Sequence, residues 1–250
     1  AAPVASNNLN SSSRDLQRTP SVKHISGSAD TPSLKGYDKF LHQTVYKLAD
    51  ACDDLESLGE TGKLILRAFE GLRYVVVVST RAKAPADDLA LALTPLLKGT
   101  QDAIKEIRAQ RLDRKVDNHV KAIMEMLTCV SWVYYKPPQS LPAAFVKECI
   151  GSSDFWSNKI RKEFKGKDEK QIEFCDCLKK IMVDLATYIE EHHKTGLTFN
   201  PKGVSIAEAQ VVLSDDPITV AAATAAGKGK GGRRKSSVGN TVMGGNVLGL

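Results

Sequence analysis

The chain has 250 residues, 42% hydrophobic and 26% charged, which excludes collagen-like and wholly disordered chains and leaves room for one well-cored domain with tails. No apolar run is longer than residues 74–78, far short of the roughly 18 needed to span a membrane, and AAPVASNNLN lacks the basic start and apolar core of a secretory signal. The net charge of +6 is uneven: residues 35–200 carry 26 Lys and Arg against 24 Asp and Glu, and residues 201–250 carry six against three, which argues against a globular face built to grip nucleic acid. Five cysteines at irregular spacing (52, 129, 149, 175 and 177) make no disulfide framework and fit a reducing compartment. The chain opens on Ala1 rather than Met, as a fragment or processed chain would, and the expectation is a soluble intracellular protein.

In chain order, the Ser-, Asn-, Pro- and Thr-rich residues 1–35 have no sustained apolar period and are expected to be disordered. A first helical stripe follows at Leu41, Val45, Leu48, Cys52 and Leu55, and a second, after Leu58-Gly59, at Ile65, Phe69, Leu72 and Val76. The valines of 74–78 favour a strand, yet they continue the second stripe and are read as a buried helix end. Leu89, Leu93, Leu96, Thr100, Ile104 and Ile107 draw a third stripe, which Pro95 should kink or restart with Thr94 as cap. A fourth at Val120, Ile123, Leu127, Val130 and Tyr134 ends at Pro137-Pro138. A shorter fifth at Trp156, Ile160 and Phe164 would be opened by Ser152 and Ser153. The sixth, at Cys175, Leu178, Met182, Leu185 and Ile189, is closed by Gly196. The reading is all-α: an up-and-down antiparallel six-helix bundle over 36–203, flanked by a disordered N-terminal segment (1–35) and a disordered, basic, Gly-rich tail (204–250).

Site chemistry is sparse. Gly59-Glu60-Thr61-Gly62-Lys63 has part of a phosphate-loop pattern, but Ser57 stands where the first glycine belongs and Leu64 where Ser or Thr should follow. Cys175, Cys177, His192 and His193 invite a zinc reading, but helix residues two apart point about 200° apart, and Cys175 lies on the apolar stripe. Carboxylates such as Glu190-Glu191 and Asp53-Asp54 are mixed with lysines as on a solvated helix face, and nothing singles out a catalytic pair. His119 could serve phosphotransfer; after Asp117, a good cap, it reads rather as a first-turn structural residue. No enzyme, cofactor or metal is expected. Arg233-Arg234-Lys235-Ser236 fits a basophilic kinase, making Ser236 a phosphorylation candidate; Thr19-Pro20 and Thr31-Pro32 fit proline-directed kinases.

Several segments resemble one family in the same order. Tyr37-Asp38 opens the first helix and Leu58-Gly59 closes it; Asn118-His119 precedes Trp132-Val133, a proline loop and Phe145-Val146. Asn158-Lys159-Ile160-Arg161-Lys162-Glu163-Phe164 follows, and Tyr188-Ile189-Glu190-Glu191-His192-His193-Lys194-Thr195-Gly196-Leu197 ends in His-x-Thr-Gly-Leu. Residues 36–203 thereby resemble the N-terminal helical domain of cyclase-associated protein, the actin-recycling factor. Phe199 replaces the family's usual Trp, and the proline loop is longer and lacks the usual glycine. Residues 1–34 lack the heptads of the family's oligomerising helix, and Pro20 and Pro32 interrupt them. The family's proline runs, Wiskott-Aldrich homology segment and C-terminal β-domain lie outside these 250 residues, so monomer binding and nucleotide exchange are not carried over.

The resemblance implies a cytoplasmic, cytoskeleton-associated actin regulator that binds cofilin-decorated filament pointed ends and promotes depolymerisation and monomer recycling. Actin and cofilin are the implied partners, with adenylyl cyclase and a homodimer through a helix face as further ones. The matched segments nominate Asn118, His119, Lys136, Pro137, Arg161, Lys162, Lys165, His192, His193, Lys194 and Thr195 for actin and cofilin binding. Beside each stands a structural role: Trp132 and Tyr188 as core, His193 and Thr195 as caps of the last helix. Two other classes stay open: a helical scaffold or adaptor without disassembly activity, and weak salt-sensitive binding of nucleic acid or anionic membrane by the tail. Neither a specific nucleic acid nor a membrane span is expected.

Overall fold

The computed structural model of the protein describes residues 31–86 and 88–214; the tail candidates Ser236 and Thr19-Pro20 lie outside them. The first helix runs as α1 (Pro32–Phe40), a π-helical turn (Leu41–Val45) and α2 (Tyr46–Asp53). It is followed by α3 (Gly59–Arg81), the short α4 (Leu89–Leu93), α5 (Lys98–Ala109) and α6 (Asp117–Leu127), which tightens into a 3-10 turn over Thr128–Tyr134. Then come α7 (Pro142–Phe164), α8 (Glu169–His192) and α9 (Ile206–Ser214). Among the described residues the only β-pairing is an isolated bridge between Ala82 and Val204.

Neighbouring helices run antiparallel, as their side-chain register shows. Thr61 bonds Gln110 at 2.7 Å while Thr100 reaches the Ala68 carbonyl at 2.9 Å, so α3 and α5 oppose each other. Lys147 pairs with Glu190 and Arg161 with Asp176, which reverses α8 against α7. The first helix packs on both α3 and α8, tied by Tyr37 Oη donating to the Phe69 carbonyl (3.0 Å) and Thr44 Oγ1 to Asp184 (2.7 Å). It thereby closes one continuous core between α3/α5 and α8/α7/α6.

The valine-rich stretch is helical, as its register predicts. Each valine in a helix costs about 0.5 kcal/mol of propensity, whereas burying one gains about 1.5–3 kcal/mol, and Val75, Val76, Val77 and Val78 are all buried. A helix can bury consecutive residues only if it is covered on several sides. Here α1, α2 and α5 cover part of α3, and α9 covers another.

The GETGK segment is the first turn of α3, pressed against α2. A Cβ at Gly62 would lie 2.8 Å from Cys52 Cβ and 2.9 Å from the Ala49 carbonyl oxygen. Gly71 serves the α3–α5 contact in the same way, since a Cβ there would meet Thr100 Oγ1 at 2.6 Å and its backbone nitrogen at 2.8 Å. Gly71→Val is expected to force these helices apart and cost about 2 kcal/mol, read as a lower urea midpoint at unchanged m-value.

Four expectations need correction. The bundle begins at Pro32, whose missing N–H is no loss at the first helical position, so the N-terminal segment does not reach residue 35. Ser152 and Ser153 do not open a helix: α7 starts ten residues earlier at Pro142, and Ser153 lies buried inside it, donating to the Ala122 carbonyl at 3.0 Å. Thr94 does not cap the restarted helix; it ends α4, donating back to the Ala90 carbonyl at 2.7 Å, and α5 starts at Lys98.

The fourth correction concerns residue 204 onward. Asn200 donates to the Ser79, Thr80 and Ala82 carbonyls, which the end of α3 leaves without helical partners. Helix α9 then buries Ala209 and Leu213 against the core. Its start was legible as a capping box: the Ser205 hydroxyl donates to Glu208 at 2.7 Å and the Glu208 N–H returns to Ser205 Oγ at 3.3 Å.

Candidate functional site

The eleven nominated residues fall into two groups near opposite ends of α8, about 36 Å apart at 1.5 Å per residue. Asn118, His119, Arg161, Lys162 and Lys165 gather where α6 begins and α7 turns into α8. Lys136, Pro137, His192, His193, Lys194 and Thr195 gather where α8 ends against the loop after the 3-10 turn. Sequence order alone could not separate them, because antiparallel packing brings residues more than 40 positions apart to the same end.

At the first end, His119 is a core residue, 2% exposed, between Phe164 and Phe174. Its Nε2 donates to Gln171 Oε1 at 2.6 Å, and the Gln171 amide donates to Asp168, the N-cap of α8, at 3.3 Å. Burial holds its pKa below the ordinary histidine value, so the ring is neutral and its Nδ1 lone pair is buried without a donor among the described residues. The side chain therefore anchors α6 to the start of α8 and presents nothing to a partner. Asn118 is half-buried, Lys162 and Lys165 are exposed, and Arg161 is committed to Asp176 (2.7 Å) and Asp154 (3.8 Å). A shallow groove of about 440 Å³ runs along Arg161, Lys162, Lys165, Glu169 and Ile172.

At the second end the backbone leaves α8 through the buried His193, which caps the helix with its N–H on the Ile189 carbonyl (2.8 Å). Its Nδ1 accepts from the Thr198 N–H at 3.1 Å, so in the neutral ring Nε2 carries the proton and donates to Tyr188 Oη at 2.8 Å. Trp132 lies against it, ring centroids 5.1 Å apart, fully buried and with no acceptor for its Nε1–H among the described residues. Desolvation, aided by the neighbouring His192, pushes the His193 pKa down to about 3.

Gly196 at φ +130° turns the chain over Lys136, where a Cβ would meet the Lys136 side chain at 3.3 Å and the Tyr135 carbonyl at 3.4 Å. The outcome is a fixed loop that exposes Lys194 and Thr195 beside Lys136 and Pro137; Pro137-Pro138 is a cis peptide. His192 is half-buried against Tyr188 and Gly36. Phe199 is half-buried and packs on the core.

The zinc reading does not fit this geometry. Cys175 is buried with its thiol toward the Ser157 carbonyl (3.6 Å), Cys177 is half-buried on another side of α8, and both histidines are at the far end of that helix. Among the described residues no three His, Cys, Asp or Glu side chains gather as a metal site, and no helix is long and apolar enough to cross a membrane. The sequence reading missed the π-helical turn, whose Thr44 bond to Asp184 borders a second groove of about 280 Å³ between α1 and α8. Such turns often mark functional sites, but a π-bulge leaves no distinct residue pattern.

A family model described as CAP, N-terminal domain, matches residues 37–197, the span from Tyr37 in the core to the Gly196-Leu197 turn. The chain belongs to the CAP family. The adenylyl cyclase-associated protein of Schizosaccharomyces pombe is 31% identical over 193 residues, covering 76% of this chain and 33% of that protein. Adenylyl cyclase-associated protein 2 of Rattus norvegicus is 27% identical over 200 residues, covering 78% of this chain and 41% of its own length. The chain thus spans about a third to two fifths of these CAP relatives. The N-terminal domain of the Dictyostelium discoideum protein superposes with a TM-score of 0.63 at 27% identity, over 70% of this chain and 98% of that one. A crystal structure of a CAP N-terminal domain described as indicating variable oligomerisation gives 0.62 at 26% identity, over 71% of this chain and 95% of that one. The all-helical fold read from the sequence is the CAP N-terminal fold.

Proposed function

We propose that this bundle regulates the actin cytoskeleton: it binds the pointed ends of cofilin-decorated filaments and speeds loss of the terminal subunit, acting in the cytoplasm with actin and cofilin as partners. Family membership over residues 37–197 supports the reading, and the observation that carries it is the His193-locked loop. A surface that grips the departing subunit better than the lattice-held one lowers the barrier to leaving with no covalent step, and it must not itself yield. Lys194 and Thr195 are exposed on a loop whose backbone is fixed by the Thr198–His193 and Gly196–His193 hydrogen bonds, and the exposed Lys136 and Pro137 stand beside it on the loop that follows the 3-10 turn. Lys162 and Lys165 supply a second contact at the other end.

The test is the pointed-end shortening rate of single filaments with cofilin, with and without the chain. An acceleration that requires cofilin is expected, and Lys136→Ala with Lys194→Ala should reduce it about tenfold with the fold intact. An unchanged rate in that double variant would remove the loop from the mechanism. Lys162→Ala with Lys165→Ala measures the opposite end.

A second reading is a helical scaffold, with adenylyl cyclase among its partners as the relatives' name suggests. Filament or partner binding without any acceleration would select it. Pairing of two bundles through a helix face fits either reading, in line with the variable oligomerisation of the related domain.

A further inference from the structure

Helix α7 carries an aromatic pair outside the two end groups: Trp156 packs partly on the core, and Phe155 does not. Phe155 is 57% exposed and meets the half-buried Trp156 edge to face, with ring centroids 4.9 Å apart. The Lys159 ammonium sits 4.5 Å from the Phe155 ring centre and 4.0 Å from that of Trp156; Lys121 on α6 covers Trp156 at 4.7 Å. These contacts hold two large apolar side chains in place before any partner arrives, which lowers the entropy cost of using them as anchors. Beside Phe155, Gly151 leaves open space where a side chain would otherwise stand.

The charges next to the pair decide what it fits. Phe155, Lys159 and Lys162 follow one another at steps of four and three, so they form one stripe along α7. Lys121 is paired with Asp117 at 2.7 Å, but neither Lys159 nor Lys162 has a carboxylate within ion-pair distance among the described residues. Glu163, one turn beyond Lys159, does not reach it, and Glu148 stands about three turns before Lys159, on the far side of Gly151. The stripe from Phe155 to Lys162 is therefore positive with no carboxylate of its own, which an acidic partner complements.

We propose that this stripe docks an acidic, amphipathic protein segment: an apolar side chain of the partner rests on Phe155 over Gly151, and its carboxylates reach Lys159 and Lys162. Aromatic burial supplies the anchor, and the lysines set the orientation, with the partner's acidic end toward Lys162. This surface is distinct from the His193 loop, and the inference does not depend on filament disassembly.

The test uses a fluorescein-labelled helical peptide about five turns long, rich in glutamate, with leucines on one face, and follows its anisotropy as the full chain is titrated in. Saturable binding that weakens with salt is expected. Phe155→Ala should weaken it about tenfold and Lys159→Gln with Lys162→Gln by a similar factor, while Lys194→Ala leaves it unchanged. Phe155 is exposed, so its variant keeps the helical circular dichroism of the parent. The proposal is overturned by absence of saturable binding, by an undiminished Phe155→Ala titration, or by equal binding of a leucine-free peptide. It is equally overturned if Phe155 serves instead to bind phosphatidylserine vesicles, or if sedimentation shows a dimer that Phe155→Ala dissolves.

Discussion

Trp132→Ala is expected to cost about 3–5 kcal/mol of stability, the largest loss from any single truncation at the His193 end. The ring is fully buried on the 3-10 turn Thr128–Tyr134 and forms one wall of the His193 pocket. Its removal leaves a cavity that the flanking α7 and α8, both 23 residues or longer, cannot easily collapse into. Urea unfolding should show the lower midpoint, and fluorescence remains usable because Trp156 is the second tryptophan of two. Trp132→Phe is expected to be much milder, since it keeps most of the apolar contact and deletes an indole N–H buried without an acceptor among the described residues. Phe155→Ala supplies the contrast: it also removes an aromatic ring, but from an exposed position, and should change stability by less than about 0.5 kcal/mol. A loss below about 1 kcal/mol for Trp132→Ala would mean that the ring is not the wall of that pocket.

Acidification is expected to weaken the fold through His193. Its folded pKa is depressed to about 3 by burial, against an ordinary value near 6.5, so between these limits the unfolded chain binds the extra proton and the folded one does not. The stabilisation is therefore complete above about pH 6.5 and declines as the pH falls, by about 1.4 kcal/mol per unit, until the folded pKa is reached. His119, depressed by burial in the same direction, adds to the slope, whereas Glu70, which burial raises, opposes it at the acidic end. Comparing the parent with His193→Gln isolates the part due to His193. The variant should be less stable at pH 7, having lost the Thr198 and Tyr188 hydrogen bonds, yet show a distinctly shallower decline between pH 6.5 and 4.5. Parallel curves would show that His193 protonates at its ordinary pKa in the fold. The same titration bears on the loop, because a doubly protonated ring can no longer accept from the Thr198 N–H.

Much of the fold was legible because helix periodicity is a local property. The stripe Leu41, Val45, Leu48, Cys52 and Leu55 is buried as its spacing required, and a π-helical turn inside it did not disturb the pattern. The valines of 74–78 illustrate the limit of propensity: their strand preference is worth tenths of a kilocalorie each, and burial overrides it. The fifth helix was misread because its core-facing residues include Ser153 and Ser157, small polar side chains that satisfy themselves or their backbone against neighbouring helices and so leave gaps in an apolar stripe. Trp156, counted on that stripe, is half-buried on the flank of α7 facing Lys121. Residues 204–214 were read with the Gly-rich tail by composition, although Ser205 and Glu208 announced a helix start.

The sequence by itself determined the fold class, the number of long helices in the bundle and the family, because all three rest on residue order and on apolar spacing along each segment. It could not determine which of the nominated residues share a surface. His119 and His193 look alike in the sequence as polar residues in family motifs, but the structure buries both as neutral core groups: one ties α6 to α8, the other locks the loop that follows α8. Lys162, at the end of α7, and Lys194, just after α8, both remain exposed, near opposite ends of α8. That division depends on how the antiparallel helices pack, which brings together residues remote in sequence and is set by long-range contacts such as Tyr37 on Phe69 and Thr44 on Asp184. No local pattern encodes those partners, so only the tertiary structure could decide which surfaces the protein offers.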